Sequence, residues 1–91
     1  MIQFILGEDR HVTYFVHSVK GEYFSIRSAA WELRYSGEVE AAGECEITQE
    51  ENGWYVDARI QPKNRSSRYE LEITLEIADE VIKNRESMEV I

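Results

Sequence analysis

The sequence predicts an all-β protein, an antiparallel sandwich of about seven strands formed by residues 1–91 as one domain. The clearest evidence is residues 69–78, YELEITLEIA, where apolar residues occupy every second position. A period of two places successive side chains on opposite faces of a strand, so one face packs on a core and the other meets water. The polar positions of this segment are Glu70, Glu72, Thr74 and Glu76. Similar alternating segments, separated by turn residues at a spacing of about 8–12, recur along the chain.

The first third of the chain contains two short strands and an extended piece. Residues 2–6 form the first strand, which ends at the turn 7–9. Residues 11–18 form the second, with Val12, Tyr14 and Val16 on one face. A turn at Lys20-Gly21-Glu22 follows, and Phe24 and Ile26 then continue in a short extended piece.

The middle of the chain predicts three further strands. Residues 29–35 place Trp31, Leu33 and Tyr35 on the inward face, before a turn at Ser36-Gly37-Glu38. Residues 39–48 form the next strand, which is broken near Gly43, where we expect a bulge. Asn52-Gly53 is the strongest hairpin signal, because both residues tolerate positive φ. The inward positions after it are Trp54, Val56, Ala58 and Ile60.

The last third consists of a polar loop, the long strand and a returning segment. Pro62 lies in the loop at 62–67, where it removes no ladder hydrogen bond from a central strand. Asp79-Glu80 is the turn after the long strand. We expect residues 81–91 to form a final strand, although Ile77, Val81, Ile82 and Met88 also fit one face of a helix.

These strands define a core and favour an immunoglobulin-like form of the sandwich. The predicted core consists of Val12, Tyr14, Val16, Phe24, Ile26, Trp31, Leu33, Cys45, Ile47, Trp54, Val56, Ile60, Leu71, Ile73, Leu75 and Ile77. Trp31 lies mid-strand, where it would fill the space between the sheets. Tyr69 begins the longest strand after a loop, the position of the tyrosine corner in immunoglobulin-type domains. Many other β folds carry a core Trp, and the cysteine pair of antibody domains is absent here.

Composition limits the class of protein. The net charge of −8 argues against nucleic acid or an anionic membrane as partner. One cysteine, Cys45, excludes an internal disulfide and a Cys-based zinc site, and we expect it to be a small buried residue. The chain has no apolar run near 18 residues, and its first residues lack a basic start and a cleavage site. We therefore expect the protein to stay in the cytoplasm of the cell that makes it.

No combination of residues predicts catalysis, a metal site or a cofactor. His11 and His17 share the outward face of one strand, about 20 Å apart, too far for one ion to bridge. We interpret them as surface histidines. The carboxylates of Glu70, Glu72 and Glu76 are interpreted as a solvated sheet face rather than an acid–base pair. The chain is therefore predicted not to be an enzyme.

Charge is distributed unevenly along the chain. Residues 38–51 hold six acids and no base, and residues 59–68 hold four bases and no acid. The acidic residues considered for contacts are Glu38, Glu40, Glu44 and Glu46, and the basic ones are Arg59, Lys63, Arg65 and Arg68. Opposite patches of this kind can drive head-to-tail association, and the alternative is ordinary surface variation.

Three aromatic residues are candidates for a docking patch. Phe15, Tyr23 and Tyr55 have the parity of outward-facing positions. If they cluster, they present the kind of exposed apolar surface at which proteins dock. The alternative is partial burial after a register shift.

Four segments together resemble small β-sandwich domains of tailed phages and prophages. They are ILGEDRHVTYFV, YFSIRSAAWEL, GEVEAAGECEI and RYELEITLEIADEVIKNR, which cover most of the chain. Such domains occur in baseplate, tail and head-accessory proteins and dock onto neighbouring proteins. Many are attached to a receptor-binding or fibre region, so this chain would be a stand-alone adaptor or one domain of a larger protein.

The resemblance implies a structural or assembly protein without catalysis. Its expected partners are other virion or prophage proteins, or a second copy of the chain. The protein would be made in the bacterial cytoplasm, and its final location would be the virion. The alternative is a stand-alone binding module of the adhesin or carbohydrate-binding type. Exposure of Tyr23, Trp54 and Tyr55 on one face would favour that alternative, and burial of Trp54 would count against it.

Overall fold

In the computed structural model, residues 1–91 are all described and form eight strands and no helix. The strands are β1 (Ile2–Phe4), β2 (Arg10–Val16), β3 (Ile26–Tyr35), β4 (Glu38–Glu44), β5 (Glu46–Glu50), β6 (Gly53–Ile60), β7 (Ser66–Ile77) and β8 (Glu80–Val90). They form a five-stranded sheet of order β1-β8-β7-β3-β4 and a three-stranded sheet of order β2-β6-β5. All neighbours are antiparallel except β1, which runs parallel to β8. The predicted all-β sandwich is confirmed.

The long strand predicted from alternation is β7, at the centre of the larger sheet. Leu71 and Ile73 lie opposite Leu33 and Trp31 of β3, so their inward side chains share one face. The alternation therefore reflects real burial, because Leu71 and Ile73 are almost inaccessible to water.

The core lies between the two sheets and extends further than the alternating pattern indicates. It contains Ile26, Leu33, Val56, Ile60, Leu71, Ile73 and Leu75, as predicted, together with Phe4, Ala29, Ala58, Tyr69, Met88 and Val90. The other predicted core residues are only partly buried against it, namely Val12, Tyr14, Val16, Phe24, Trp31, Cys45, Ile47, Trp54 and Ile77. The added residues Phe4 and Val90 come together because β1 pairs with the end of β8.

The strand count differs from the predicted seven because residues 39–48 form two strands. β4 ends at Glu44 and β5 begins at Glu46, so the chain crosses from one sheet to the other at Cys45. The Cys45 amide donates to the carbonyl of Ala29 at 2.9 Å, which holds the crossing against β3. The predicted bulge at Gly43 is wrong, since the register shifts between Leu33 and Arg34 of β3 instead.

Other boundaries move by a few residues. β1 ends at Phe4, and β2 begins at Arg10 and ends at Val16, whereas β3 already begins at Ile26. The final segment is a strand, as predicted against the helical alternative. The turn between β7 and β8 consists of residues 78 and 79 rather than the predicted 79 and 80. Ala78 in this turn adopts a φ of 55°.

The Asn52-Gly53 hairpin is confirmed, but for a different physical reason. Glu50 of β5 pairs with Gly53 of β6, so the turn residues are Glu51 and Asn52. Gly53 does not adopt positive φ. A Cβ at Gly53 would lie 2.4 Å from the carbonyl oxygen of Val16, so glycine is needed there for space.

Glu72 contradicts the prediction of a solvated carboxylate face. Its side chain points away from the core, yet it is only 1% exposed. Arg85 of β8 donates to it, and Arg34 and Lys83 lie 3.9 and 4.0 Å from its other oxygen. These long side chains cover the carboxylate, and the favourable charges together with the Arg85 hydrogen bond lower the pKa of Glu72 despite its desolvation.

The Tyr69 hydroxyl joins the chain before β7 to β4. It accepts from the amide of Asn64, five residues upstream, at 3.0 Å. The same hydroxyl donates to the carboxylate of Glu40 at 2.6 Å. Burial and the neighbouring Glu40 raise the pKa of Tyr69, so the hydroxyl keeps the proton that it donates.

Candidate functional site

An open cleft of about 500 Å³ lies at one end of the smaller sheet. We call it the aromatic cleft. One wall is the connection between β2 and β3, residues 17–25, and the other is the turn between β5 and β6. The two walls meet because Val16, the last residue of β2, pairs with Trp54 of β6.

The aromatic lining brings together two of the three predicted docking residues. Phe15 and Tyr23 both line the cleft, together with Phe24 and Trp54, which are partly buried against the core. Tyr23 is 84% exposed and Phe15 is 44% exposed, so their rings are available to a partner. The Trp54 indole N–H donates to the carbonyl of Phe24 at 3.2 Å, which fixes the half-buried ring in the cleft wall.

Tyr55, the third predicted docking residue, adjoins the cleft rather than lining it. Its ring centroid lies 5.0 Å from that of Phe15, on the outer face of the smaller sheet. Phe15 also stacks on His17 at 5.6 Å, with 28° between the planes. Together, Phe15, His17 and Tyr55 extend the aromatic surface from the cleft onto the outer face. The prediction that Phe15, Tyr23 and Tyr55 are exposed is confirmed.

Ser18 shapes the loop that carries Tyr23. Its hydroxyl accepts hydrogen bonds from the amides of Lys20 and Glu22, both at 3.2 Å, and its carbonyl accepts from the amide of Gly21. Gly21 has a φ of 71°, a conformation that glycine adopts without a Cβ clash. These contacts reverse the chain direction just before Tyr23, which lines the cleft.

Three carboxylates surround the aromatic lining. Glu22 lies on the loop side, and Glu50 and Glu51 lie on the side of the β5–β6 turn. None of them forms an ion pair within the chain. The amide side chains of Gln49 and Asn52 line the same wall. The cleft therefore combines aromatic faces with negative charge that has no cation of its own.

The acidic residues predicted from the sequence do not form one patch. Glu40 accepts hydrogen bonds from the Lys63 amide, the Asn64 side chain and the Tyr69 hydroxyl, so it supports the loop that carries the predicted bases. Glu38 begins β4 beside Tyr35, at the same end of the molecule as this loop. Glu44 and Glu46 lie on either side of the crossing at Cys45 and are exposed.

The basic residues also divide into two groups. Arg59 binds both oxygens of Asp9 at 2.9 and 2.7 Å, and this pairing raises the pKa of Arg59 and lowers that of Asp9. Lys63, Arg65 and Arg68 are exposed and form no ion pair. We call residues 61–68 the basic loop; they comprise the connection from β6 to β7 and the first three residues of β7, and they carry these three cations.

Two further groups considered from the sequence for chemistry are His11 and Cys45. His11 is exposed and bonds Asp57 through Nδ1, and Thr13 donates to the other Asp57 oxygen at 2.7 Å. These hydrogen bonds lower the pKa of Asp57 although burial opposes them. Burial raises the pKa of the half-buried Cys45 thiol to about 11, so the thiol is protonated and a weak nucleophile. No group of three or more His, Cys, Asp or Glu side chains is arranged to hold a metal ion.

The structure has no helix of the length and hydropathy needed to cross a membrane. Comparison with protein-family models, with curated proteins and with solved structures found no match.

The sequence contains the residues that line the cleft, but it does not show that they lie on one surface. The alternating pattern identifies Phe15 and Tyr23 as outward-facing residues. Glu22, however, lies more than 25 positions before Glu50 and Glu51 in the sequence, so nothing links these acids to one another. Only the pairing of Val16 with Trp54 brings these groups to one surface. One feature of the sequence does point to these acids: each lies beside a glycine near a predicted turn. Gly21 precedes Glu22, and Gly53 follows Glu50 and Glu51.

Proposed function

We propose that this chain is a non-enzymatic structural or assembly protein of a phage or prophage particle and acts by protein–protein contact. The observation that carries the contact is the aromatic cleft, whose exposed rings are bordered by three unpaired carboxylates. Aromatic residues are enriched where proteins dock, and unpaired carboxylates select a positively charged partner. The phage context rests on the resemblance of the four sequence segments described above.

The immunoglobulin-like form of the sandwich belongs to the same proposal. The orders β8-β7-β3-β4 and β2-β6-β5 correspond to strands G-F-C-C′ and B-E-D of immunoglobulin domains. In that correspondence Tyr69 lies near the start of strand F and Trp31 lies on strand C, the positions of the tyrosine corner and of the core tryptophan.

A binding module for carbohydrate is the second candidate. Sugar rings stack on exposed aromatic side chains and hydrogen-bond to carboxylates and amides, and Tyr23, Gln49 and Asn52 supply such groups. The half-buried Trp54, with its N–H engaged by Phe24, is a poorer platform than a free indole. Three carboxylates without cations also suit a cationic peptide better than a neutral sugar.

Binding of peptides and glycans to the same protein separates the two candidates. We expect the fluorescence of the tryptophans to change on titration with lysine- and arginine-containing peptides of unrelated sequence, and we expect no binding on a glycan array. Tyr23→Ala with Glu51→Lys should weaken the peptide response. Glu44→Lys with Glu46→Lys changes the charge more but outside the cleft, and should retain the response. Glycan binding lost in the cleft variant would support the second candidate instead.

A further inference from the structure

The aromatic cleft and the basic loop lie at opposite ends of the molecule. β6 begins at Gly53 in the cleft and ends at Ile60, next to the basic loop. At about 3.3 Å per residue these two points are about 23 Å apart along the strand. The molecule measures 41 Å along its long axis and 22 and 20 Å across. β8 has 11 residues, and at about 3.3 Å per residue it is about 33 Å long, so it fits only along the long axis.

The basic loop is held in a fixed shape with its cations free. Glu40 and the Tyr69 hydroxyl together bind the Asn64 amide and side chain and the Lys63 amide. Pro62 is buried beneath the loop. These contacts engage the backbone and Asn64, and they leave the charged ends of Lys63, Arg65 and Arg68 exposed. A preordered loop loses less conformational entropy on binding than a disordered one.

The cleft has the chemistry that recognises such cations. A guanidinium or ammonium group gains energy over the face of an aromatic ring, and Phe15 and Tyr23 offer exposed rings. Glu22, Glu50 and Glu51 supply three negative charges against the three positive charges of the loop. The two surfaces therefore match in charge as well as in the type of contact.

We propose that the aromatic cleft binds the basic loop of a second copy of this chain, with Arg65 and Arg68 facing Glu50 and Glu51. This inference rests on the proposed function, since it names the partner of the protein–protein contact. The contact is heterologous, because it joins two different surfaces. Since these surfaces lie at opposite ends of an elongated molecule, repetition gives an open filament rather than a closed pair.

Salt concentration should control this association in a specific way. Each copy carries a net charge of −8, so copies repel at very low salt. At 0.1 M salt the Debye length is about 10 Å, which screens whole-molecule repulsion while the contact between adjacent side chains persists. At 1 M salt the Debye length is about 3 Å and the contact itself weakens.

The test is the mass in solution by size-exclusion chromatography with light scattering, over protein concentrations up to about 1 mM, where contacts of low affinity are populated. We expect the mass to rise continuously above the monomer value of 10.7 kDa at 0.1 M salt and to return to it at 1 M. Arg65→Glu with Arg68→Glu, or Glu50→Lys with Glu51→Lys, should each lower the association constant about tenfold or more, because attraction becomes repulsion.

Mixing the two charge-reversed proteins distinguishes a specific contact from loss of fold. The reversed cleft of one complements the reversed loop of the other, so the mixture should associate where each variant alone does not. Glu44→Lys with Glu46→Lys should associate at least as well as the unaltered chain. A monomer at every concentration and salt, or a mixture that stays monomeric, overturns the self-association. If the cleft still binds unrelated basic peptides, the proposed function stands with another partner, and if it binds none, both proposals fail.

Discussion

At the scale of single residues, Glu72 shows how a charge is accommodated on a sheet surface. The carboxylate lies under one layer of side chains from Arg34, Lys83 and Arg85 rather than inside the core. Its environment stabilises the charged form, which is why its pKa falls below the ordinary value of 4.5. Alternation along β7 predicts that Glu72 points outward, but it cannot show that neighbouring strands supply three cations at that level.

We expect Glu72→Gln to destabilise the protein by about 1–3 kcal/mol at pH 7, because charged hydrogen bonds are lost. The lowered pKa means that the folded protein binds its proton less readily than the unfolded chain. The contribution of Glu72 is therefore complete above about pH 4.5 and declines as pH falls through the folded pKa. Urea unfolding from pH 7 to pH 3 should show the two proteins converging. Glu76→Gln, an exposed position on the same strand, serves as the control.

Tyr69 is a second residue whose role depends on one atom. Tyr69→Phe removes the hydroxyl that joins the Asn64 amide to Glu40 and should lower the free energy of unfolding by about 1–3 kcal/mol. Tyr35→Phe is the matched control, because its ring packs on Tyr69 at 5.1 Å while its hydroxyl makes no hydrogen bond to the protein. Equal effects from both variants in urea unfolding would contradict a specific role for the Tyr69 hydroxyl.

At the scale of elements, the edge strand β4 packs against β3 through a glycine. A Cβ at Gly43 would lie 2.9 Å from the ring of Trp31, closer than packed side chains tolerate. We expect Gly43→Ala to cost about 1–3 kcal/mol. Trp31→Phe should relieve part of this cost in the double variant, because its smaller ring vacates the space. Thermal unfolding of the four proteins gives the coupling energy, and strictly additive effects would refute the contact.

The turn of the β7–β8 hairpin contains a residue, Ala78, whose backbone conformation is unfavourable for any side chain with a Cβ. Ala78 has a φ of 55°, a left-handed conformation that costs a residue with a Cβ about 1–2 kcal/mol. Ala78→Gly should therefore stabilise the protein, but by no more than about 1 kcal/mol, because the greater freedom of glycine in the unfolded chain offsets part of the relieved strain. Ala42→Gly, the same change within β4, should destabilise it. A melting temperature lowered by both changes would exclude strain at position 78.

At the scale of the whole molecule, local patterns predict strands well and contacts between distant segments poorly. Period-two alternation locates β2, β6 and β7 because each has one face on the core. It predicts one strand across residues 39–48, because alternation continues through the crossing at Cys45. Alternation carries no information about which sheet a strand joins. The aromatic cleft depends on the pairing of β2 with β6, a contact nearly forty residues apart in the chain.

The opposite placement of cleft and basic loop leads to a prediction about assembly length. A copy with Arg65→Glu and Arg68→Glu retains an intact cleft, so it can join a growing filament but cannot accept the next copy through its loop. A small fraction of this variant should therefore lower the mean mass of the unaltered protein in light scattering. Glu50→Lys with Glu51→Lys should act in the same way from the opposite end. In a closed ring, by contrast, the mass would stay at one discrete value, and a monomer pool would grow in proportion to the added variant.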